Sequence, residues 1–177
     1  MGHIYFVRHG QTVWNVENKI CGATDIELTK LGHAQADELG RRLAEEVCGI
    51  DLILYSPLVR AAETARHISE ATGIPRRAEP RLTEQNFGKY ESTLRDGEAF
   101  GRDKQNFINS YGGGETMLKL CHRVYSLLDE LKKSEMTCLL VAHNGIARAV
   151  KSYFCDMSNE EFAAYGIDNC EILRFDF

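Results

Sequence analysis

Histidine and arginine are costly to bury without a partner, yet this 177-residue chain sets them at matching points along its length. Arg8 and His9 follow the apolar run Ile4-Tyr5-Phe6-Val7, and His143 follows Cys138-Leu139-Leu140-Val141-Ala142. Arg60 stands just past a third run, Leu52-Ile53-Leu54-Tyr55, in the first turn of a helical pattern. Two guanidiniums and two imidazoles describe a phosphate pocket, because the planar fork of arginine matches phosphate oxygens in pairs. A phosphoryl group also has a use for two histidines. One imidazole with a free nitrogen can attack phosphorus, while the other donates to a non-bridging oxygen and stabilises the charge that develops. Taken singly, either histidine reads as a satisfied core or surface residue; four such groups converging on strand ends outweigh that reading.

The elements that must position these residues follow from hydrophobic period. The three continuous apolar runs fit strands buried on both faces, as in a parallel sheet covered by helices. Helical spacing predicts helices over 29–47, with Thr29 as N-cap, and from Ser56-Pro57 to Thr72, with Ser56 as N-cap, Pro57 at the first helical position and Gly73 and Pro75 as the stop. Two more are predicted over 115–133 and 145–154, and the alternation of Ile172, Leu173, Phe175 and Phe177 predicts an edge strand over 171–177. Residues 80–114, rich in glycine and with only a weak helical pattern over 98–108, read as a small cap-like excursion. The expected fold is a three-layer α/β/α sandwich with a mostly parallel central sheet, formed by residues 1–177 as one domain. In such sheets ligands collect beyond the carboxyl ends of the strands, where His9 and His143 stand.

Composition narrows the function classes. Apolar residues are 44% and charged residues 27%, the balance of an ordinary globular protein, and the net charge of −5 carries no footprint for nucleic acid or an anionic membrane. Apolar runs of four or five residues fall far short of the roughly 20 that cross a bilayer. No secretory leader pattern opens the chain, and Phe6 stands where a myristoylation signal has Ser or Thr, so a cytoplasmic protein is expected. Cys21, Cys48, Cys121, Cys138, Cys155 and Cys170 are too far apart for a Cys-x-x-Cys pair and are expected as free thiols. No His-x-x-x-His or Walker-type motif is written, and no metal or other cofactor is expected. His33 and His67 fall within helical patterns and, like His3 and His122, read as packed or solvated.

The stretch Arg8-His9-Gly10-Gln11-Thr12-Val13-Trp14-Asn15 resembles the signature of the histidine phosphatase (phosphoglycerate mutase-like) superfamily. It is joined in order by Thr24-Asp25-Ile26-Glu27-Leu28-Thr29 with Gly32, Gln35 and Ala36, then by Ser56-Pro57-Leu58 with Arg60, Ala61, Glu63, Thr64 and Ala65. Leu82, Glu84, Phe87, Gly88, Tyr90 and Glu91 follow, then Gly114-Glu115-Thr116 and Val141-Ala142-His143-Asn144-Gly145. Only residues 92–112 are unmatched. The resemblance implies that His9 is the nucleophile that becomes phosphorylated. Arg8, Arg60 and His143 would clamp the phosphoryl oxygens, Asn15 would add a hydrogen bond, and Glu84 would be the general acid that later activates water. It implies no metal, the two arginines supplying the charge that Mg²⁺ supplies elsewhere.

Three departures bear on specificity. Asn144 stands where the family usually has Gly, Tyr90-Glu91-Ser92 replaces Trp-Glu-Gly, and Cys21 and Gly22 lie near positions that touch substrate in relatives. Glu115 is read either as a residue orienting the pocket or as a carboxylate favoured at a helix N-terminus. Mutases of this family carry a longer insertion that shields the phosphohistidine from water, whereas here only about 25 to 30 residues separate the Glu84 motif from Glu115. The expected activity is therefore hydrolysis of a small phosphorylated metabolite. A phosphoglycerate mutase and a non-catalytic phosphate-binding module are the alternatives, the latter disfavoured because both His9 and Glu84 are present.

Overall fold

The computed structural model describes residues 2–46 and 49–177; Met1, Val47 and Cys48 lie outside the described residues. The chain runs β1 (His3–Arg8), α1 (Val13–Val16), α2 (Lys30–Glu46), β2 (Leu52–Tyr55), α3 (Val59–Thr72), β3 (Arg76–Ala78), α4 (Glu98–Asp103), α5 (Met117–Lys132), β4 (Cys138–Ala142), α6 (Asn144–Phe154), α7 (Asn159–Ala164) and β5 (Ile172–Asp176). Single 3₁₀ turns at Pro80–Leu82 and Gly88–Tyr90 lie within the excursion.

The sheet order is β3-β2-β4-β1-β5. β3, β2, β4 and β1 are parallel, and β5 closes the edge antiparallel to β1. Alternation along the strands divides the core in two. Ile4, Phe6, Leu54 and Leu140 point into a layer formed with Leu120, Val124 and Leu127 of α5 and Val150 of α6. Val7, Ile53, Leu139 and Val141 point the other way, onto Leu39 and Leu43 of α2 and Ala61, Ala65 and Ile68 of α3. Burial of each such large apolar side chain stabilises the fold by about 1.5–3 kcal/mol. The two-sided burial is what makes these strands read as unbroken apolar runs.

Helix starts follow the sequence except at α3. Thr29 caps α2 by accepting from Gly32 N–H at 3.0 Å, and Thr116 caps α5 by accepting from Lys119 N–H at 3.2 Å. The expected Ser56 N-cap of α3 is corrected: the helix begins two residues after Pro57, at Val59, with Leu58 in the cap position and no side-chain cap of its own. A distant residue serves instead, since Val59 N–H donates to Asp25 Oδ1 at 2.8 Å. Ser56 is occupied elsewhere, as described below. Gly73 ends α3 at φ +73°, the left-handed conformation that favours glycine. The weak pattern over 98–108 becomes only the six residues of α4, and β3 is a strand the hydropathy pattern does not announce. All three residues of β3 are exposed, so it carries no apolar signal. The end of α2 was expected at Val47, and that residue and the Cys48 thiol lie outside the described residues. The other five cysteines are free.

The excursion has its own small core, in which Phe87, Phe100 and Tyr111 pack with Ile20. It is stitched to the segment after α1 by Ile20 N–H to Thr93 O at 2.8 Å, Ser92 N–H to Ile20 O at 3.0 Å and Arg95 N–H to Asn18 O at 2.9 Å. Those bonds hang the excursion over the carboxyl end of β1.

Candidate active site

Strand register brings the two histidines together. Arg8 pairs with Ala142 across β1 and β4, and His9 N–H donates to Ala142 O at 3.0 Å, so the residues that follow the two strands are neighbours. The imidazole centroids of His9 and His143 lie 5.1 Å apart. β2 is in register on the far side of β4, and Ser56 N–H donates to Val141 O at 3.0 Å, which brings Ser56 level with the pair.

The hydrogen bond of His9 fixes which of its nitrogens carries the proton. Nδ1 lies 2.7 Å from the carbonyl oxygen of Gly10, and a carbonyl can only accept, so Nδ1 carries the proton and Nε2 is left with its lone pair. Burial, then the charges of Arg60 and Arg8, hold the imidazole pKa well below 6.5. A group whose pKa is lowered is neutral at any pH above the lowered value, so His9 is a free base throughout the physiological range. The turn that follows β1 is held from behind. Gly10 N–H donates to Thr64 Oγ1 of α3 at 3.0 Å, and Gln11 N–H donates to Gln35 Oε1 of α2 at 2.9 Å. A Cβ on Gly10 would lie 2.4 Å from the Gly32 carbonyl oxygen, so only glycine allows this approach.

His143 is fully buried, with its pKa also pushed well below 6.5 by burial, Arg60 and His9. Its Nε2 lies 2.7 Å from Ser56 Oγ, and its buried Nδ1 has no partner. Ser56 Oγ accepts from Leu58 N–H at 3.4 Å and has its own proton available to donate to Nε2. In the tautomer where the hydroxyl donates, Nδ1 is the protonated nitrogen and a buried donor without a partner. Ser56→Ala is accordingly expected to lower kcat on a phosphomonoester about 10-fold while the fold persists, the cost of a lost buried hydrogen bond being about 1–3 kcal/mol. Steady-state kinetics with thermal denaturation as control check it, and an unchanged kcat would exclude this role for the hydroxyl.

Arg8, His9, Asn15, Cys21, Glu84 and Asn144 all line one cleft of about 530 Å³, counting the space open to solvent at its mouth. Arg8 Nη1 donates to Ile167 O at 2.6 Å while its buried Nε has no partner. Burial and the neighbouring Arg95 lower its pKa to about 10, and it stays charged at neutral pH. Asn15 Oδ1 accepts from Thr12 N–H at 3.0 Å, which leaves the amide NH₂ as its remaining donor group. Asn144 Oδ1 accepts from Ile167 N–H at 3.0 Å, so the residue that departs from the family's Gly holds the loop on which Arg8 rests. Glu84 is buried at 6% exposure, its Oε1 accepting from Gln85 N–H and its Oε2 from Gly145 N–H, both at 2.9 Å. A Cβ on Gly145 would lie 2.3 Å from Glu84 Oε1, which explains the glycine at the start of α6.

Arg60 and Gly22 sit behind the cleft wall. Arg60 is 1% exposed and donates through Nη2 to Gly22 O at 2.7 Å and through Nη1 to Thr24 O at 2.9 Å. Each of those nitrogens keeps a second hydrogen. Gly22 N–H goes to Glu91 Oε2 at 3.1 Å, and Glu91 also accepts from Ala23 N–H, Thr24 Oγ1 and Phe87 N–H, tying the loop to the excursion. Cys21 faces the cleft, with its thiol pushed up to about 11 by burial, so it is a neutral wall residue. Glu115 forms a two-pronged pair with Arg123, both contacts at 2.8 Å, and its carbonyl accepts from Gln85 Nε2 at 2.9 Å, beside Glu84.

Three cleft residues escape the sequence patterns: Arg95 and Lys104 from the excursion and Arg148 from α6. Among the described residues none of the three makes an ion pair. Burial, then Arg148 and Arg95, depress the Lys104 pKa to about 7. Among the described residues Glu84 is the single carboxylate lining the cleft, so the cavity is strongly cationic inside a protein of net charge −5.

A neutral imidazole with a bare Nε2, a second buried imidazole beside it and arginines close to both stand at the carboxyl edge of a mostly parallel sheet. The chain belongs to the histidine phosphatase superfamily (branch 1), whose family model matches residues 4–177. It is 30% identical over 187 aligned residues to a probable phosphoglycerate mutase, GpmB, of Yersinia pestis, with all of this chain and 86% of that protein covered. Among solved structures it resembles a mycobacterial glucosyl-3-phosphoglycerate phosphatase complexed with VO3, with a TM-score of 0.87, 27% identity and coverage of 98% and 90% of the two chains. It also resembles a phosphoserine phosphatase of Entamoeba histolytica in complex with 3-phosphoglyceric acid, with a TM-score of 0.83, 26% identity and coverage of 100% and 91%. Among the described residues no helix is long and apolar enough to cross a membrane.

Proposed function

We propose that the protein is a phosphomonoesterase that hydrolyses a small phosphorylated metabolite through a phosphohistidine on His9. The observation that carries this reading is the His9 imidazole, neutral, with its Nδ1 proton committed to Gly10 O and its Nε2 lone pair uncommitted. In the first step Nε2 attacks phosphorus and the P–O ester bond breaks, with Glu84 giving its proton to the leaving oxygen. Arg8, Arg60, His143 Nδ1 and Asn15 oppose the charge on the non-bridging oxygens. In the second step the Glu84 carboxylate takes a proton from water, which attacks phosphorus, and the P–N bond breaks to return the electron pair to His9. The small excursion favours water as acceptor over a second alcohol. The direct test is phosphate release from a panel of metabolite phosphomonoesters, with and without 2,3-bisphosphoglycerate. Phosphate release independent of the bisphosphate is expected, and phosphoryl exchange between glycerate positions without net release would make the protein a mutase.

The cationic cleft adds a property of the substrate. One phosphoryl group is served by the groups around His9, and Arg95, Lys104 and Arg148 are left for a second acidic group, a carboxylate or another phosphate. Ile20 and Phe100 line the same cleft and offer apolar surface to a short carbon skeleton. The glucosyl-3-phosphoglycerate and 3-phosphoglyceric acid in the names of two structural relatives accord with such a ligand. Lys104 is half charged near pH 7, and only its protonated form attracts the second acid, so KM for an acidic phosphomonoester should rise as pH climbs past about 7. Lys104→Met should raise that KM about 10-fold at pH 6.5 and remove the pH dependence, while leaving KM for p-nitrophenyl phosphate within about twofold, the loss of a charged contact being about 1.5–3 kcal/mol. Equal effects on both substrates would rule out a second acid subsite.

A further inference from the structure

On the face of the molecule opposite the sheet, α2 and α3 bring together two histidines that stand 34 residues apart in sequence. His33 Nδ1 and His67 Nε2 are 2.9 Å apart, and a Glu63 carboxylate oxygen completes a group of three ligand atoms within 4.8 Å of one another. Glu63 and His67 are one helical turn apart on α3, so they share a face. We propose that His33, Glu63 and His67 form a site for a divalent transition-metal ion that staples α2 to α3 behind the catalytic turn.

The protonation pattern supports this. His67 Nδ1 lies 2.5 Å from Asp37 Oδ1, and a carboxylate only accepts, so Nδ1 carries a proton. Arg66 Nη2 lies 3.2 Å from His67 Nε2, and a guanidinium only donates, so Nε2 is a bare lone pair. In that tautomer His67 has one nitrogen backed by a carboxylate and the other open, the arrangement by which proteins orient histidine ligands to metals. His33 must then donate through Nδ1 to the same lone pair. To bind a metal it shifts that proton to Nε2, with no net change in charge. Two donors thus converge on His67 Nε2 where one cation could replace both. Arg66 bonds Glu63 through Oε2 and Glu70 through a separate nitrogen, so it can stay paired to Glu70 when a metal takes the place of its contact with His67. Two imidazoles and one carboxylate suit zinc or a neighbouring late first-row metal.

The position gives the site a consequence. Thr64, next to Glu63, and Gln35, two residues after His33, are the side chains that hold Gly10 and Gln11. A metal bridging the two helices would restrain the pair that positions His9.

The test is titration of the intact protein with Zn²⁺ by calorimetry, with thermal denaturation in parallel. Wild type should bind one saturable equivalent with a raised Tm. His67→Ala and His33→Gln should each weaken that equivalent at least about 10-fold, and Asp37→Asn should weaken it by about 10- to 100-fold, the usual effect of removing a residue that orients a ligand. Arg66→Gln removes a competing donor and a positive charge and should tighten binding. His33 is only half-buried, so its variant keeps the test valid should His67→Ala fail to fold. Zinc uptake unaltered by His33→Gln, or no saturable uptake by wild type and Arg66→Gln, would overturn the proposal, and in that case Arg66 itself is the only cation the cluster holds.

Discussion

Replacing His9 with alanine is expected to lower turnover of p-nitrophenyl phosphate by about 10⁴-fold or more, the scale on which loss of a covalent nucleophile is felt. The size follows from the absence of a substitute. Cys21, the thiol in the cleft, is held neutral by a pKa pushed up to about 11, and His143 is fully buried with its Nε2 engaged by Ser56 Oγ. Neither can take over the attack. The backbone of the turn is held by Thr64 and Gln35 through main-chain N–H groups, so truncating the side chain leaves the scaffold in place. Binding should therefore survive: inorganic phosphate or vanadate is expected to bind His9→Ala with affinity within about 10-fold of wild type, since the arginines and His143 remain. Steady-state kinetics and a phosphate-dependent thermal shift check both halves. Turnover within tenfold of wild type would remove His9 from the mechanism.

Glu84→Gln should separate the two chemical steps. For a poor leaving group such as a sugar alcohol, loss of the proton donor is expected to cost about 10²–10⁴-fold in kcat. For p-nitrophenyl phosphate, whose leaving oxygen needs little protonation, the first step should be far less affected. Hydrolysis of the phosphoenzyme still needs a base, so the variant should show a burst of p-nitrophenol followed by slow release. Part of the loss is positional. Both Glu84 oxygens accept from backbone N–H groups, Gln85 and Gly145, and the NH₂ of glutamine would face one of those donors. Glu84→Asp, which retracts the carboxylate, provides the comparison. A variant unimpaired on alkyl phosphates would exclude Glu84 as the acid.

The sequence exposes what is encoded locally and hides what tertiary contact decides. β1, β2 and β4 are legible because strands buried on both faces leave no polar positions, and the position of His9 and His143 after two of them is legible for the same reason. β3 is invisible because an exposed three-residue edge strand has no hydrophobic pattern. Ser56 shows how local grammar misleads. Ser-Pro before a helix is a strong cap signal, yet the hydroxyl is drawn to His143 by the register of β2 against β4, and Asp25 from a distant loop reaches the helix instead. Arg95, Lys104 and Arg148 are unreadable for a different reason. A basic residue in a polar loop or a helix looks solvated until the excursion folds back over β1. Gly22 and Arg60 are singled out by the sequence, but their contact with each other, which ties the loop to α3, is a product of packing. The Glu63-His67 spacing on α3 carries meaning only once His33 arrives from α2.

In the proposed mechanism phosphoryl groups are carried on Nε2 of His9. Rapid quenching of the Glu84→Gln variant with p-nitrophenyl phosphate into alkaline denaturant, followed by phosphorus NMR and peptide mapping, tests it most directly. The expected product is one alkali-stable, acid-labile phosphate per chain, on His9 and at Nε2, because the Nδ1 proton is committed to Gly10 O. Phosphate on Nδ1, on any residue other than His9, or turnover without a phosphoenzyme would contradict it.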